Sequence, residues 1–147
     1  MPTVKVVKAR PQAELPRYMS TGAAGADVTA CLSEPMVIAT KTRAAIPTGL
    51  IFEIPQDYEI QVRPRSGMAF KRGLTVVNAP GTIDSDFRGE VMILVINLGE
   101  EAVEIASGDR VAQLVLQRVE RIEWHEATEL GSTERASGGF GSTGMRS

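Results

Sequence analysis

Short runs of β-forming residues, each followed by turn residues, recur along most of the chain. Val, Ile and Thr account for 35 of the 147 residues, and 14 Gly and 8 Pro separate the runs. β-Branched residues favour strands and Gly and Pro favour turns, so runs of this length predict strands rather than helices. The predicted strands are Val4–Val7, Ala26–Cys31, Met36–Thr40, Leu50–Ile54, Tyr58–Val62, Leu74–Val77, Val91–Asn97, Val103–Ala106, Val111–Val119 and Ile122–Trp124. Ten short strands predict an all-β sandwich or barrel.

Two segments depart from this simple pattern. One or two helical turns are predicted at Gly67–Arg72, and Pro64 and Pro80 limit anything longer. The run Val91–Ile96 is continuously apolar, which predicts a strand that is covered on both faces. In a small domain, one of those faces is expected to be covered by another subunit.

Length and composition exclude several classes of protein. A chain of 147 residues predicts one domain with one core. The net charge of −2 argues against a nucleic-acid or membrane-surface partner. One Cys and one His exclude an intramolecular disulfide and a Cys/His zinc site, and we interpret Cys31 and His125 as structural or neutral. No apolar run approaches the ~18 residues of a membrane span, and a cytoplasmic protein is therefore expected.

The last 17 residues differ from the rest of the chain. Gly, Ser and Thr make up eleven of them, which predicts a domain at 1–130 and a flexible arm at 131–147. The glycines Gly139, Gly141 and Gly144 match a dinucleotide-binding spacing, but no strand precedes them and no helix follows. Their backbone N–H groups remain candidates for wrapping phosphates. A plain disordered tail is the alternative, although it does not explain the aromatic Phe140.

Four further segments combine residue types that suit a binding site. Arg63–Gly67 places two guanidiniums, a hydroxyl and a glycine where a strand ends, which suits phosphate or an ordinary surface turn. Gly81–Glu90 crowds acids, an arginine and an aromatic ring into a hairpin-like stretch, which suits a site or a charged hairpin. Asp27 follows small residues, and Gly108–Leu114 is a turn that leads into an apolar strand. Taken singly, none of these segments decides between function and scaffold.

Taken in order, these segments and the arm resemble the five signature motifs of the trimeric dUTP diphosphatases. The matching stretches are AGADVTAC, RPRSG, NAPGTIDSDFRGE, GDRVAQL and RASGGFGSTG. The resemblance implies a jelly-roll β-sandwich or distorted barrel that assembles as a homotrimer, with active sites at the subunit interfaces. It also implies Mg²⁺-dependent hydrolysis of dUTP to dUMP and pyrophosphate, which keeps uracil out of DNA and supplies the precursor of thymidylate.

The resemblance assigns the nucleoside side of the site. Asp84 matches the residue that activates the water attacking the α-phosphorus. Asn78 and the hairpin backbone match the part that reads uracil, and Phe87 occupies the position where most relatives have a tyrosine that packs under the deoxyribose. We expect the phenyl ring to keep that packing. The substrate-binding residues expected on this side are Asn78, Gly81, Thr82, Ile83, Asp84, Phe87 and Met92.

The resemblance also assigns the phosphate side. Arg65, Ser66 and Gly67 match a phosphate-binding segment, and Gln113 matches a further polar contact. Asp27 matches a residue that orients a Mg²⁺-bound water. In the arm, Phe140 is expected to stack over uracil, Arg135 to reach the γ-phosphate and Gly141 to help close over the triphosphate. Ala136 replaces the glycine usual after the arginine, which is expected to restrict the arm slightly.

Two alternatives compete with this interpretation. A dCTP deaminase shares the motif and tends to have phenylalanine at the position of Phe87. It needs a catalytic glutamate ten residues beyond Asp84, where this chain has Leu94. The second alternative is a catalytically silent relative that binds nucleotide or a protein partner, and such a protein is expected to have lost Asp84 or the arm.

Overall fold

The computed structural model describes residues 1–146 and contains eleven strands and one short helix in that range. Nine of the ten predicted strands and the predicted helix are confirmed, with small shifts at their ends. The elements are β1 (Lys5–Lys8), β2 (Ala26–Thr29), β3 (Met36–Ile38), β4 (Arg43–Pro47), β5 (Leu50–Glu53), β6 (Tyr58–Arg63), α1 (Ser66–Arg72), β7 (Leu74–Val76), β8 (Gly81–Ile83), β9 (Met92–Asn97), β10 (Val103–Ile105) and β11 (Arg110–Arg118).

Three details of the strand prediction are wrong. The run Ile122–Trp124 forms no strand, and the side chains at its two ends are 66% and 85% exposed. Strand β4 was not predicted because its sequence, RAAIP, contains one β-branched residue, and β8 was not predicted because it has three residues within a turn-rich stretch. Both are stabilised by pairing with longer strands, β4 with β9 and β8 with β6.

The strands form four antiparallel sheets around one core. Their orders are β1-β5, β10-β3, β2-β11-β6-β8 and β4-β9-β7. The side chains that are almost completely buried come from several of these sheets, and among the largest are Ile38, Ile46, Leu50, Ile93 and Ile105. Burying one such side chain stabilises a fold by about 1.5–3 kcal/mol. The arrangement confirms the all-β prediction.

The two faces of strand β9 have different surroundings in the single chain. Its inward residues Ile93 and Val95 are buried in the core, whereas Met92 and Leu94 on the other face are each 39% exposed. In the single chain this second face borders a cavity, which is described below. The apolar run thus serves a cavity wall as well as the core.

Helix α1 connects β6 to β7 and ends at a glycine. Gly73 has a φ of +69°, and a Cβ there would lie 2.3 Å from the backbone N of Gly99, so the turn requires glycine. No helix in the described range is long and apolar enough to cross a membrane. The arm predicted at 131–147 has turns but no strand or helix up to Arg146, and Ser147 lies outside the described residues.

Candidate active site

A cavity of about 260 Å³ lies between β8, the turn that follows it and the outward face of β9. The predicted nucleoside-side residues in it differ in chemistry: they include an amide, a carboxylate, an aromatic ring, a thioether and a glycine. Its lining consists of Val62, Asn78, Gly81, Thr82, Ile83, Asp84, Phe87, Glu90, Val91, Met92 and Leu94. Every residue that was predicted on the nucleoside side therefore lines one cavity.

Strand β8 presents hydrogen-bonding backbone to this cavity. It is the edge strand of its sheet and pairs only on one side, with Ile83 opposite Ile60 and Gly81 opposite Val62. An edge strand retains N–H and C=O groups that can pair with a ligand. A Cβ on Gly81 would lie 3.2 Å from Nδ2 of Asn78, so the glycine leaves room for the exposed amide. An amide donor and acceptor thus lie beside free backbone groups.

The apolar wall of the cavity is formed by Phe87, Met92 and Leu94. Their side chains are 44%, 39% and 39% exposed, which is unusual for large apolar groups so close to a core. A ring and a thioether at the mouth of a cavity offer a flat, polarizable surface for a planar or sugar-like ligand.

Asp84 lies at the boundary between this cavity and a second one of about 270 Å³. The second cavity is also lined by Asp57, Glu59 and Asp86, with Arg121 as the cationic member. The ion pairs found in residues 1–146 do not involve Asp84. Its carboxylate is exposed and can accept a proton from a water molecule at the mouth of the cavity.

The turn that carries Asp84 and Phe87 is held by Arg88. Nη1 of Arg88 donates to the carbonyl oxygens of Ser85 and Phe87 at 2.7 and 3.0 Å. The backbone N–H of Phe87 also donates to the carbonyl of Asp84 at 3.2 Å. Sequence reasoning did not assign this role to Arg88, since nothing in the local pattern shows which carbonyls a guanidinium will reach.

An ion pair anchors the other end of the same turn. Oε1 of Glu90 accepts hydrogen bonds from Nη2 of Arg10 and from the backbone N–H of Gly49, the latter at 2.8 Å. The hydrogen bond from Arg10 is the main reason why the pKa of Glu90 lies below its ordinary value, and the Gly49 bond acts in the same direction. Arg10 was not predicted, because it is 80 residues from Glu90 along the chain.

The predicted phosphate-side residues form a second group. Arg65 is the residue before the first turn of α1, which has no side-chain cap and no acidic residue in that turn. Its uncapped N–H groups and the guanidinium suit an anion. Ser66 and Gly67 are exposed, and a Cβ on Gly67 would meet no atom within 4 Å. None of these three residues lines the cavity described above.

Asp27 connects the phosphate-side segments within the chain. Its side chain is 5% exposed, and Oδ2 lies 3.0 Å from Nη1 of Arg110 and 3.5 Å from Nε of Arg65. Nη1 of Arg65 donates to the carbonyl of Arg110 at 3.2 Å. Gln113 is paired in register with Asp27 on one side and Arg63 on the other. Three of the five motifs therefore meet here, and the structure gives Asp27 two arginine partners that sequence reasoning did not foresee.

The predicted arm residues are not brought to the cavity. Arg135 donates from Nε to the carbonyl of Gly138 at 2.8 Å, and Phe140 is fully exposed. The φ values of Ala136, Phe140 and Gly141 are +44°, +50° and +78°. Ala136 thus adopts a left-handed conformation that glycine adopts at lower cost.

Comparisons with known proteins identify relatives of the chain. The family model described as dUTPase matches residues 11–144. Proteins named deoxyuridine 5'-triphosphate nucleotidohydrolase match from Bdellovibrio bacteriovorus (60% identity over 131 residues, 89% of this chain and 88% of that protein) and Fusobacterium nucleatum (50% over 141 residues, 96% of each).

Solved structures show the same fold. A Staphylococcus bacteriophage 80alpha dUTPase with dUpNHpp has a TM-score of 0.87 and 25% identity, covering 97% of this chain and 98% of that one. A mutant dUTPase from phage phi11 of S. aureus, described with a structural Mg(II) ion, has a TM-score of 0.79 and 23% identity, covering 88% of this chain and 99% of that one. The fold of the chain is thus the one that these phage enzymes share.

Proposed function

Because the chain belongs to the dUTPase family, we propose that it hydrolyses dUTP to dUMP and pyrophosphate. The observation that carries the proposal is the position of Asp84, an exposed carboxylate outside the ion pairs of residues 1–146, at the edge of a cavity with an amide and an aromatic wall. That combination provides a base for water beside a pocket for a nucleoside.

The base is read by β8 and Asn78. Uracil presents one N–H donor between two carbonyl acceptors, and the free edge of β8 together with the Asn78 amide offers complementary groups. A pocket built from such groups rejects a base with the wrong edge, because buried donors and acceptors are then left unpaired at ~1–3 kcal/mol each. The deoxyribose packs against Phe87 and Met92, where a 2′-hydroxyl meets apolar surface.

Asp84 activates the attacking water. The water oxygen forms a bond to the α-phosphorus while the bond from that phosphorus to the oxygen bridging the α- and β-phosphates breaks. The carboxylate of Asp84 takes the proton, and pyrophosphate leaves with the bonding electron pair. The Arg88 hydrogen bonds hold the turn in place, so that the base and the ring keep their relative positions.

The phosphate chain is bound by Arg65, Ser66, Gly67 and Gln113. Two observations support this assignment: the uncapped first turn of α1 and the contact of the buried Asp27 carboxylate with the partly exposed guanidiniums of Arg65 and Arg110. Guanidinium groups and backbone N–H groups stabilise charge on phosphate oxygens during the displacement.

Mg²⁺ is proposed as the cofactor, and the donor set fits an ion that the substrate itself holds. The described residues contain no group of three His, Cys, Asp or Glu side chains placed to ligate a metal. Both ion pairs of Asp27 use Oδ2, which leaves Oδ1 for a metal-bound water. Mg²⁺ retains several waters and binds phosphates readily, and when bound it offsets charge on the triphosphate. We therefore propose that Asp27 contacts the hydration shell of the bound ion.

We propose a homotrimer in which the site is completed between subunits. Arg65, Ser66 and Gly67 do not line the nucleoside cavity of their own chain, and the apolar side chains of Ile122 and Trp124 are largely exposed.

The arm at 131–147 closes over bound substrate through Arg135, Phe140 and Gly141. Its glycines permit that movement at low cost. A cytoplasmic location remains a prediction from the sequence.

Pyrophosphate release from dUTP by the purified protein tests the function. The Asp84→Asn variant is expected to lose about 10²–10⁴-fold in turnover, because it cannot accept the proton. Asp57→Asn is the matched control, since Asp57 is also exposed and lines the second cavity but not the first. No release from the wild type favours the silent nucleotide-binding relative. Release that Asp84→Asn leaves unchanged contradicts the role of this carboxylate.

A further inference from the structure

Gly89 lies directly against the ring of Phe87. A Cβ built on Gly89 would lie 2.6 Å from Cζ and 3.0 Å from Cε2 of that ring. Gly89 is not among the glycines with positive φ, so its backbone conformation is open to other residues. A side chain at position 89 would therefore meet the aromatic ring and not backbone.

The backbone on both sides of Gly89 is held in place. Before it, Arg88 donates to the carbonyl oxygens of Ser85 and Phe87. After it, the Glu90 carboxylate is bound by Arg10 and by the backbone N–H of Gly49. A side chain at position 89 cannot be accommodated by moving the turn without breaking these bonds, whereas the half-exposed ring of Phe87 is free to rotate.

Gly89 and the tip of the Phe87 ring meet at the edge of the cavity. Phe87 lines the cavity and Gly89 does not, and the atoms nearest to a Cβ at position 89 are Cζ, Cε2 and Cε1, at the tip of the ring. Resting on the function proposed above, we propose that Gly89 is a positioning residue that sets the place of the Phe87 ring and thereby the width of the sugar-binding part of the cavity. The absence of a Cβ leaves the space that the tip of the ring occupies.

The Gly89→Ala variant tests this proposal through the separation of KM from kcat. Displacing the ring from its place in the cavity wall is expected to raise the KM for dUTP about tenfold, with kcat within about twofold of wild type, because Asp84 is untouched. The melting temperature is expected to stay near the wild-type value, since only a half-exposed ring moves. Gly22→Ala is the matched control, because a Cβ there meets no atom within 4 Å and Gly22 has no positive φ.

A second variant separates the ring from other effects. In a Phe87→Ala background the Cβ at position 89 has no ring to displace, so adding Gly89→Ala is expected to leave KM unchanged. An equal KM increase in both backgrounds overturns the proposal. An unaltered KM in Gly89→Ala also overturns it. A lower melting temperature together with a loss of kcat overturns it as well, because that result indicates a scaffold role for Gly89. Failure of the wild type to release pyrophosphate rejects the proposed function instead.

Discussion

Replacing Asp27 by asparagine removes the one negative charge that residues 1–146 place in the contact with Arg65 and Arg110. Removing one partner of a buried ion pair costs about 3–5 kcal/mol. Here the side chain of Asp27 is 5% exposed, but those of Arg65 and Arg110 are 25% and 43% exposed, so water solvates part of the charge left behind. We therefore expect Asp27→Asn to lower the free energy of unfolding by about 2 kcal/mol.

Thermal denaturation followed by circular dichroism measures this loss. For a domain of this size, about 2 kcal/mol corresponds to a decrease of about 6 °C in melting temperature. The two guanidiniums are also expected to move apart, which displaces Arg65 and raises the KM for dUTP at every Mg²⁺ concentration. Glu34→Gln is the control, since Glu34 is an exposed carboxylate outside the ion pairs of residues 1–146.

The measurement also separates the two roles considered for Asp27. If its main role is to hold the arginines, the melting temperature and the KM for dUTP change together. An unchanged melting temperature, combined with a higher Mg²⁺ requirement, would refute this reasoning and favour the role in orienting a metal-bound water.

Three other outcomes are expected. The hydrogen bond from Arg10 lowers the pKa of Glu90, so the ionised carboxylate stabilises the fold. This stabilisation is fully present at a pH above the ordinary pKa of 4.5, and it is lost as the pH falls through the lowered pKa. Melting curves of Glu90→Gln should thus depend less on pH in that acidic range than those of wild type, and parallel curves would contradict the ion pair. Gly73→Ala should lower the free energy of unfolding, measured by urea denaturation, by at least about 1–2 kcal/mol, because position 73 has a positive φ and Gly99 lies close to it. Gly131→Ala is the control and should lower it much less, because a Cβ at position 131 meets open space. Removing the residues after Glu134 should preserve the melting temperature but reduce turnover by orders of magnitude, and an undiminished rate would refute the closing role of the arm.

Local sequence was enough to locate most strands, because a strand needs a short run of β-branched residues ended by Gly or Pro. It failed where local preference and tertiary pairing disagree. Ile122–Trp124 has the composition of a strand but no pairing partner in the described chain, whereas β8 has a weak pattern and is formed because β6 lies beside it.

The candidate site shows the same division. The five motifs identified Asn78, Asp84, Phe87 and the phosphate-side residues from their types and order, and the structure places the nucleoside-side members in one cavity. The supporting contacts could not be predicted. Arg10 reaches Glu90 across 80 residues, and Arg110 reaches Asp27 across 83.

By itself, the sequence determined the fold class and the types of group available for chemistry, since these follow from composition and local pattern. Only the tertiary structure decided what lies against each group: that Asp27 pairs with two arginines, that the outward face of β9 becomes a cavity wall, and that Gly89 lies against the Phe87 ring. Such contacts depend on the register of the strands and on the packing of the sheets, and both are set by residues from the whole chain together.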